Sequence, residues 1–217
     1  TAIVGHLPHP DSIAAVALAT MIFDVLFWCF GFLRMSTTAI AAQESDDNKI
    51  YFQSCAIAIV ISLFLICISP LLKQGILLII HTDISVEKKL LSYFDIRILS
   101  AIPTLINYVN YGFLFGRQNT KTPLVLLLIT NIMAMILDYI LVWYIDLGAD
   151  GIALANLITQ TISAIIGVWL IYRRYLQQSM PTQYRLLFSL QRTKQLLSLN
   201  TNIFIRTLFL VLTTSFF

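Results

Sequence analysis

Apolar stretches close to 20 residues long recur along the whole chain, and they constrain its fold more than any other feature of the sequence. About 20 apolar residues is the length at which an α-helix crosses the hydrocarbon core of a lipid bilayer. Charged residues make up only 12% of the 217 residues, which is about half the share found in soluble domains. The sequence therefore predicts an all-α fold, a polytopic transmembrane helical bundle surrounded by membrane lipid.

Polar and proline-containing breaks divide the chain into about six spans plus partial helices at both ends. Pro8-His9-Pro10 ends the first partial helix, and Asp11-Ser12 can cap the helix that follows. Pro70 predicts a kink or break in the third helix, and Pro123 suits the first turn of the fifth. The predicted helices cover about residues 1–7, 12–42, 50–80, 87–115, 123–145, 151–173 and 200–217.

The two ends of the chain resemble cuts through a longer protein. Residue 1 is Thr with no charged leader before it, and the chain stops at Phe217 inside an apolar run. Between residues 177 and 199, basic and apolar side chains alternate, as they do in a helix that lies along a membrane surface. We expect that stretch to be an amphipathic linker.

Lysine and arginine are distributed unequally between the two sides of the predicted bundle. Eight lie in the loops after the second, fourth and sixth helices, whereas two lie on the opposite side, with Lys73 near the boundary. Because positively charged loops remain in the cytoplasm, the 43–49, 117–122 and 173–199 loops are predicted to be cytoplasmic. The chain would then be a multi-pass protein of the inner or plasma membrane, with basic residues too sparse to indicate a nucleic-acid partner.

Five charged side chains fall inside predicted spans, where an unpaired charge is costly and usually functional. They are Asp24, Arg34, Asp95, Arg97 and Asp138. Asp95 and Arg97 are two residues apart and do not share a helix face, so each is predicted to form a structural ion pair with another partner, as is Arg34. Asp24 either lines a central cavity or reaches the outer interface.

Asp138 is the strongest functional candidate among these five. It lies some fifteen residues into the fifth span, in the outer half of the bilayer at about 1.5 Å per residue. No cationic residue lies within one helical turn of it on its own helix. Such a carboxyl group can exchange a proton or hold a cation together with neighbouring oxygens, unless a Tyr or Asn across a helix interface satisfies it.

Uncharged polar side chains also occur inside the spans, where such groups commonly bond helices to one another. They are Asn107, Asn110, Asn131, Asn156, Thr159 and Gln160. The tyrosines Tyr93, Tyr108 and Tyr111 either line an aromatic cavity or belong to an interface belt. We select Tyr93 and Asn131, together with Asp24, as candidate cavity-lining residues.

The sequence contains none of the common motifs of enzyme chemistry, such as HExxH, GxSxG, Walker A or GxGxxG. Its three cysteines, Cys29, Cys55 and Cys67, lie in apolar spans without the spacing of metal ligands. The sequence therefore predicts that the protein is not an enzyme and has no metal site.

Several blocks of sequence, taken in order, resemble one family of membrane proteins. They are residues 1–7, 32–38 with 41–43, Ile96-Arg97 followed by 100–103, 131–138, and 151–155. Each block is weak alone, but their common order across nearly the whole chain resembles the MATE (multidrug and toxic compound extrusion) family, in particular its DinF-type branch.

The resemblance implies an architecture and an activity. Members of the family have twelve helices in two six-helix lobes, and they export cationic or amphiphilic, drug-like compounds by alternating access. The coupling ion is H⁺ or Na⁺, and no cofactor is implied. Residues 1–176 would form the amino-terminal lobe, 177–199 the cytoplasmic linker and 200–217 the start of a second lobe, which is the main expected partner.

The resemblance also implies roles for particular residues. Asp138 matches the family's acidic residue in the fifth helix, so it is the expected proton or cation coupling group. Asn156 falls where relatives often carry Thr in the sixth helix, and we expect it to contact Asp138. Tyr93 matches a tyrosine of the fourth helix. Ala134 departs from the pattern, since relatives often carry Asn there, and Asp24 has no counterpart in it.

Two alternative functions remain open from the sequence. A lipid-linked oligosaccharide flippase of the same superfamily would favour a strongly cationic lumen, whereas here the loops are basic and the spans are not. A receptor with seven helices fits the hydropathy pattern but not the family blocks.

Overall fold

The computed structural model describes residues 10–43, 46–79 and 84–177, and every regular element within them is a helix. Two π-helical turns, Ile140–Tyr144 and Tyr172–Leu176, extend the sixth and seventh helices. The helices are α1 (Pro10–Cys29), α2 (Phe32–Gln43), α3 (Asp47–Ile79), α4 (Ile84–Leu99), α5 (Ala101–Gly116), α6 (Lys121–Tyr139) and α7 (Gly148–Ile171).

Four helical stretches of the described chain are long and apolar enough to cross a membrane, and α4 with α5 forms a fifth candidate span. The four are Ile13–Gln43, Asp47–Leu78, Lys121–Tyr144 and Gly148–Leu176. The prediction of an all-α, multi-pass helical bundle is therefore confirmed. The partial helices predicted at 1–7 and 200–217, and nearly all of the 177–199 linker, lie outside the described residues.

The span predicted near residues 12–42 is broken in its middle, which the sequence prediction missed. The Phe30 N–H donates to the Phe27 carbonyl at 3.0 Å, and the Gly31 N–H donates to the Trp28 carbonyl at 2.9 Å. These tighter, three-residue bonds end α1 before α2 begins. A Cβ atom at Gly31 would lie 3.0 Å from the Trp28 carbonyl oxygen, so the absence of a side chain suits this break.

The span predicted near residues 87–115 is likewise not one straight helix, since α4 and α5 meet at 45° around Ser100. Pro103 has no N–H, and its ring crowds the carbonyl of Leu99 four residues earlier. At the same bend, the Ser100 hydroxyl donates a hydrogen bond to the Arg97 carbonyl at 2.6 Å. By contrast, α3 continues as a helix through Pro70, where the sequence suggested a kink or break.

Helix α5 lies at the centre of the bundle, in contact with α2, α3 and α7. Two glycines one turn apart allow α2 to approach it closely. A Cβ atom at Gly112 would lie 2.5 Å from the Arg34 carbonyl oxygen, and one at Gly116 would lie 2.5 Å from the Ala41 Cβ. Small residues at a helix interface are the usual means of close packing within a membrane.

Three side-chain pairs connect neighbouring helices. One joins α3 to the residue that follows α5, one joins α3 to α4 and one joins α4 to α7. They are the ion pairs Arg117–Asp47 and Lys73–Asp95, and the hydrogen bond from Ser92 Oγ to Asp150 Oδ2 at 2.8 Å.

Candidate functional site

A cavity of about 410 Å³ lies between the helices of the bundle. It is lined by side chains of α1, α4, α5, α6 and α7, and we call it the central cavity. Both signs of charge are present, on Asp24 and Arg97, amid aromatic rings and amides. The remaining lining residues are Phe27, Trp28, Thr104, Asn107, Tyr108, Tyr111, Leu127, Thr130, Asn131 and Gln160.

Arg97 is held at this cavity by the break between α4 and α5. It lies in the last turn of α4, where the negative end of the helix dipole favours a cation. Its guanidinium carbon lies 5.9 Å from the ring centroid of Phe23 and 5.7 Å from that of Phe27. The guanidinium is also within electrostatic range of the carboxyl groups of Asp24 and Asp138. Arg97 therefore interacts electrostatically with two acidic residues of the spans, Asp24 and Asp138.

Several buried polar atoms around this cavity have no protein partner. They include Arg97 Nε, Thr104 Oγ1 and Asn107 Oδ1, all from lining residues. Buried polar atoms in folded proteins are nearly always hydrogen-bonded, so exceptions gathered at one place need an explanation. All three belong to residues that line one cavity, which makes this part of the bundle the candidate site.

Asp138 lies near the end of α6, two residues before a π-helical turn. Its side chain is half-buried, and Oδ1 has no hydrogen-bond partner. The Asn156 amide donates to the Ile152 carbonyl of its own helix at 3.1 Å. The expected hydrogen bond between Asn156 and Asp138 is therefore not made among the described residues, because the amide satisfies its own helix backbone.

The structure separates the three candidate cavity residues. Asp24 and Asn131 line the central cavity. Tyr93 is only 2% exposed and belongs to the hydrophobic core, so it is not part of the lining. Its place in α4 turns the ring toward the packed interior, whereas Arg97, one turn later, reaches the cavity.

The three residues expected to form structural ion pairs also differ from one another. Asp95 pairs with Lys73 of α3, a partner that the sequence did not indicate. Arg97 faces Asp24 and Asp138 at longer range. Arg34 forms no ion pair within residues 10–43, 46–79 and 84–177; it lines a second cavity instead.

Two residues interpreted from sequence as bonds between helices belong to the cavity as well. The Asn107 amide donates to the Gln160 side-chain oxygen at 2.8 Å and to the Gln160 carbonyl at 3.1 Å. Both residues join α5 to α7 and also line the central cavity. Their spacing did not reveal this, because which face of α5 borders open space depends on where α1 and α6 pack.

The second cavity, of about 370 Å³, lies on the side of the 117–120 loop, and we call it the basic cavity. It shares Tyr111 and Leu127 with the central cavity, so the two are adjacent. Its other lining residues are Arg34, Phe115, Thr120, Lys121, Pro123 and Leu124.

The multi-pass helical fold, with a charged cavity among its helices, is that of a polytopic membrane protein. The MatE family model matches residues 1–140. DNA damage-inducible protein F of Escherichia coli (strain K12) is 31% identical, over 98% of this chain and 48% of that protein. The chain belongs to the MatE family, and the resemblance seen in the sequence is confirmed.

Other relatives agree with this assignment. A probable multidrug resistance protein NorM of Bacillus thuringiensis subsp. konkukian (strain 97-27) is 27% identical, over 79% of this chain and 40% of that protein. The crystal structure of a MATE protein in complex with MaD3S matches with a TM-score of 0.79 at 19% identity, covering 94% of this chain and 47% of that one. The chain spans about half the length of the relatives it matches.

Proposed function

We propose that this chain forms the amino-terminal lobe of a secondary active exporter. The exporter would move amphiphilic or cationic compounds across the inner or plasma membrane in exchange for protons or sodium. Residues 1–176 would form the lobe, 177–199 a linker on the cytoplasmic surface, and 200–217 the beginning of a second lobe.

The observation that carries the proposal is the central cavity, where Asp24, Arg97 and buried unpaired polar atoms meet inside apolar spans. Charges in the hydrocarbon region are costly and face a bundle interior or a water-filled space. A second lobe packed against the helices that line this cavity would enclose it between two units, as alternating access requires.

In this proposal Asp138 is the coupling group. It is an acid inside a span, one of its oxygens is unpaired, and Arg97 is within electrostatic range. A proton or sodium ion on Asp138 would change the net charge that Arg97 experiences, and so the balance of attractions between α4 and α6. Asn156, on the neighbouring helix α7, would have a smaller role, since its amide bonds the Ile152 carbonyl.

The proposal is tested with the full-length protein in proteoliposomes under an imposed proton or sodium gradient. Asp138→Asn keeps the shape of the side chain but cannot ionise, so we expect it to abolish gradient-driven drug efflux while membrane insertion stays intact. Asn156→Ala should weaken efflux less, because it removes a neutral group.

The matched control is Asp95→Asn, which makes the same change at an acid that is paired with Lys73 and does not line the central cavity. This variant should retain most of the efflux. If Asp138→Asn, inserted at the parental level, transports nearly as well as the parent, Asp138 has no coupling role.

A further inference from the structure

The basic cavity carries two cationic side chains, Arg34 and Lys121, and no acidic residue lines it. Neither cation forms an ion pair with any residue in the described part of the chain. Its wall is otherwise mostly apolar or aromatic, with Phe115 and Leu124 among the lining residues. The cavity therefore combines uncompensated positive charge with an apolar surface.

Three other cations of the described chain have acidic partners or acidic neighbours. Lys73 pairs with Asp95, and Arg117 pairs with Asp47. Arg97 has two carboxyl groups within electrostatic range. Two like charges beside one cavity repel each other, and an anion placed between them offsets that repulsion.

The two adjacent cavities differ in charge. The central cavity has one cation and one acid in its lining, whereas the basic cavity has two cations and no acid. Asp24 lies in α1 and Arg34 in α2, on opposite sides of the break at Gly31. An elongated molecule could thus place a cationic group near Asp24 and an anionic group near Arg34.

We propose that the basic cavity binds the anionic group, a carboxylate or phosphate, of an aromatic amphiphile that the protein transports. The ligand class is zwitterionic or anionic, and this assignment rests on the proposed export function. Arg34 suits the role because a guanidinium can bond both oxygens of a carboxylate or phosphate at once. Lys121 adds a second charge, and Phe115, Leu124 and Leu127 contact the apolar part of the ligand.

The test uses two fluorescent dyes with the same ring system. Rhodamine 110 has a free carboxylate and is a zwitterion, whereas rhodamine 123 is its methyl ester and a cation. Equilibrium binding to the full-length protein is measured by fluorescence anisotropy in nanodiscs of phosphatidylcholine. We expect rhodamine 110 to bind about tenfold more tightly, as one well-formed bond to a charged group would provide.

Arg34→Gln and Lys121→Gln, singly and together, should remove this preference while leaving the Kd of rhodamine 123 unchanged. The unchanged binding of the ester also shows that the variants are folded. The matched control is Arg174→Gln, which removes a cation from the end of the last described helix at a position that lines neither cavity. It should keep the preference for rhodamine 110.

Two outcomes would overturn the assignment outright. One is equal or tighter binding of the ester by the parent protein. The other is loss of both dyes in the variants with protein that remains monodisperse, since the two cations would then not discriminate the carboxylate.

A further arm separates a transported compound from a lipid headgroup, which offers the same anionic chemistry. The binding is repeated in nanodiscs that contain phosphatidylglycerol. A preference that persists supports the transported compound, whereas one that disappears shows that the lipid occupies the cavity and overturns our assignment. Dye efflux is measured separately, so tight binding without gradient-driven efflux would contradict the proposed export function and not this site.

Discussion

Asn107 and Asn110 lie one turn apart on α5, and their surroundings differ in a way that separates structure from function. Asn110 is fully buried; its Oδ1 accepts a hydrogen bond from the Tyr51 hydroxyl at 2.6 Å, and its amide donates to the Ala164 carbonyl at 3.4 Å. Asn107 is 2% exposed and donates to Gln160, but its Oδ1 has no partner and its side chain lines the central cavity.

The difference teaches that polarity inside a membrane span does not by itself identify a site. Asn110 joins α3, α5 and α7, and each end of its amide is bonded within the buried interior, so it is not accessible to a ligand. Asn107 keeps an unused acceptor on a side chain that lines the cavity. Satisfaction of the hydrogen-bonding groups, and not residue type, distinguishes the two.

The largest effect is expected from Asn110→Leu, which replaces the asparagine whose hydrogen bonds are both made. It removes two bonds between helices and crowds Gly167, where even a Cβ atom would lie 2.5 Å from the Asn110 amide nitrogen. We expect a loss of about 3 kcal/mol in folding stability, measured by thermal unfolding and by the monodisperse fraction of purified full-length protein.

Asn110→Ala is the companion variant, since it removes the same bonds without the added bulk and should cost less. A melting temperature for Asn110→Leu within a degree or so of the parent would show that the hydrogen bonds of Asn110 do not stabilise the fold.

An intermediate effect, on transport instead of folding, is expected from Asn107→Leu. The change removes the two bonds to Gln160, which costs about 1 kcal/mol of stability, but it also removes the unpaired Oδ1. Because the polar lining of the cavity is lost, we expect drug efflux in proteoliposomes to fall about tenfold. If Asn107→Leu lowers stability but leaves efflux per folded molecule unchanged, then Asn107 has a structural role only. Asn107 and Asn110 would then not differ in function.

The smallest effect on stability is expected from the removal of one hydroxyl group at a time. One is a hydroxyl at the central cavity, and the other is the hydroxyl that bonds Asn110. Thr104→Val replaces a buried hydroxyl that has no partner, so stability should stay the same or rise slightly. Tyr51→Phe removes the donor to Asn110 Oδ1 and should cost about 1 kcal/mol. The melting temperatures of the two variants are compared. A larger decrease for Thr104→Val than for Tyr51→Phe would contradict our interpretation of both hydroxyl groups.

The sequence predicted the helices well because span length and apolar composition are local properties. Each predicted helix between residues 12 and 173 has a counterpart in the structure, and the loop at 117–120 falls where polar residues cluster. The breaks in the helices at Gly31 and Ser100 were not predicted from the sequence. Glycine and proline also occur within continuous helices, as Pro70 does in α3, so their presence alone did not identify a break.

The candidate site was only partly predictable. Membrane energetics alone selected Asp24, Arg97 and Asp138 from the sequence, because charges in apolar spans are rare and costly. The same reasoning assigned Arg97 to a structural ion pair and overlooked Lys73 as the partner of Asp95, which is 22 residues away along the chain. Tyr93 was selected for its aromatic ring, but it packs into the core.

Sequence by itself determined that this protein is a helical membrane protein of the MatE family and which charges its spans contain. Both follow from residue order and from the free energy of placing apolar and charged groups in lipid. Only the tertiary structure decided that Arg97 faces two acids, that Asn110 is satisfied while Asn107 is not, and that Arg34 and Lys121 share one cavity. Those relations depend on how α1, α2, α5 and α6 pack, and packing brings together side chains that no local pattern relates.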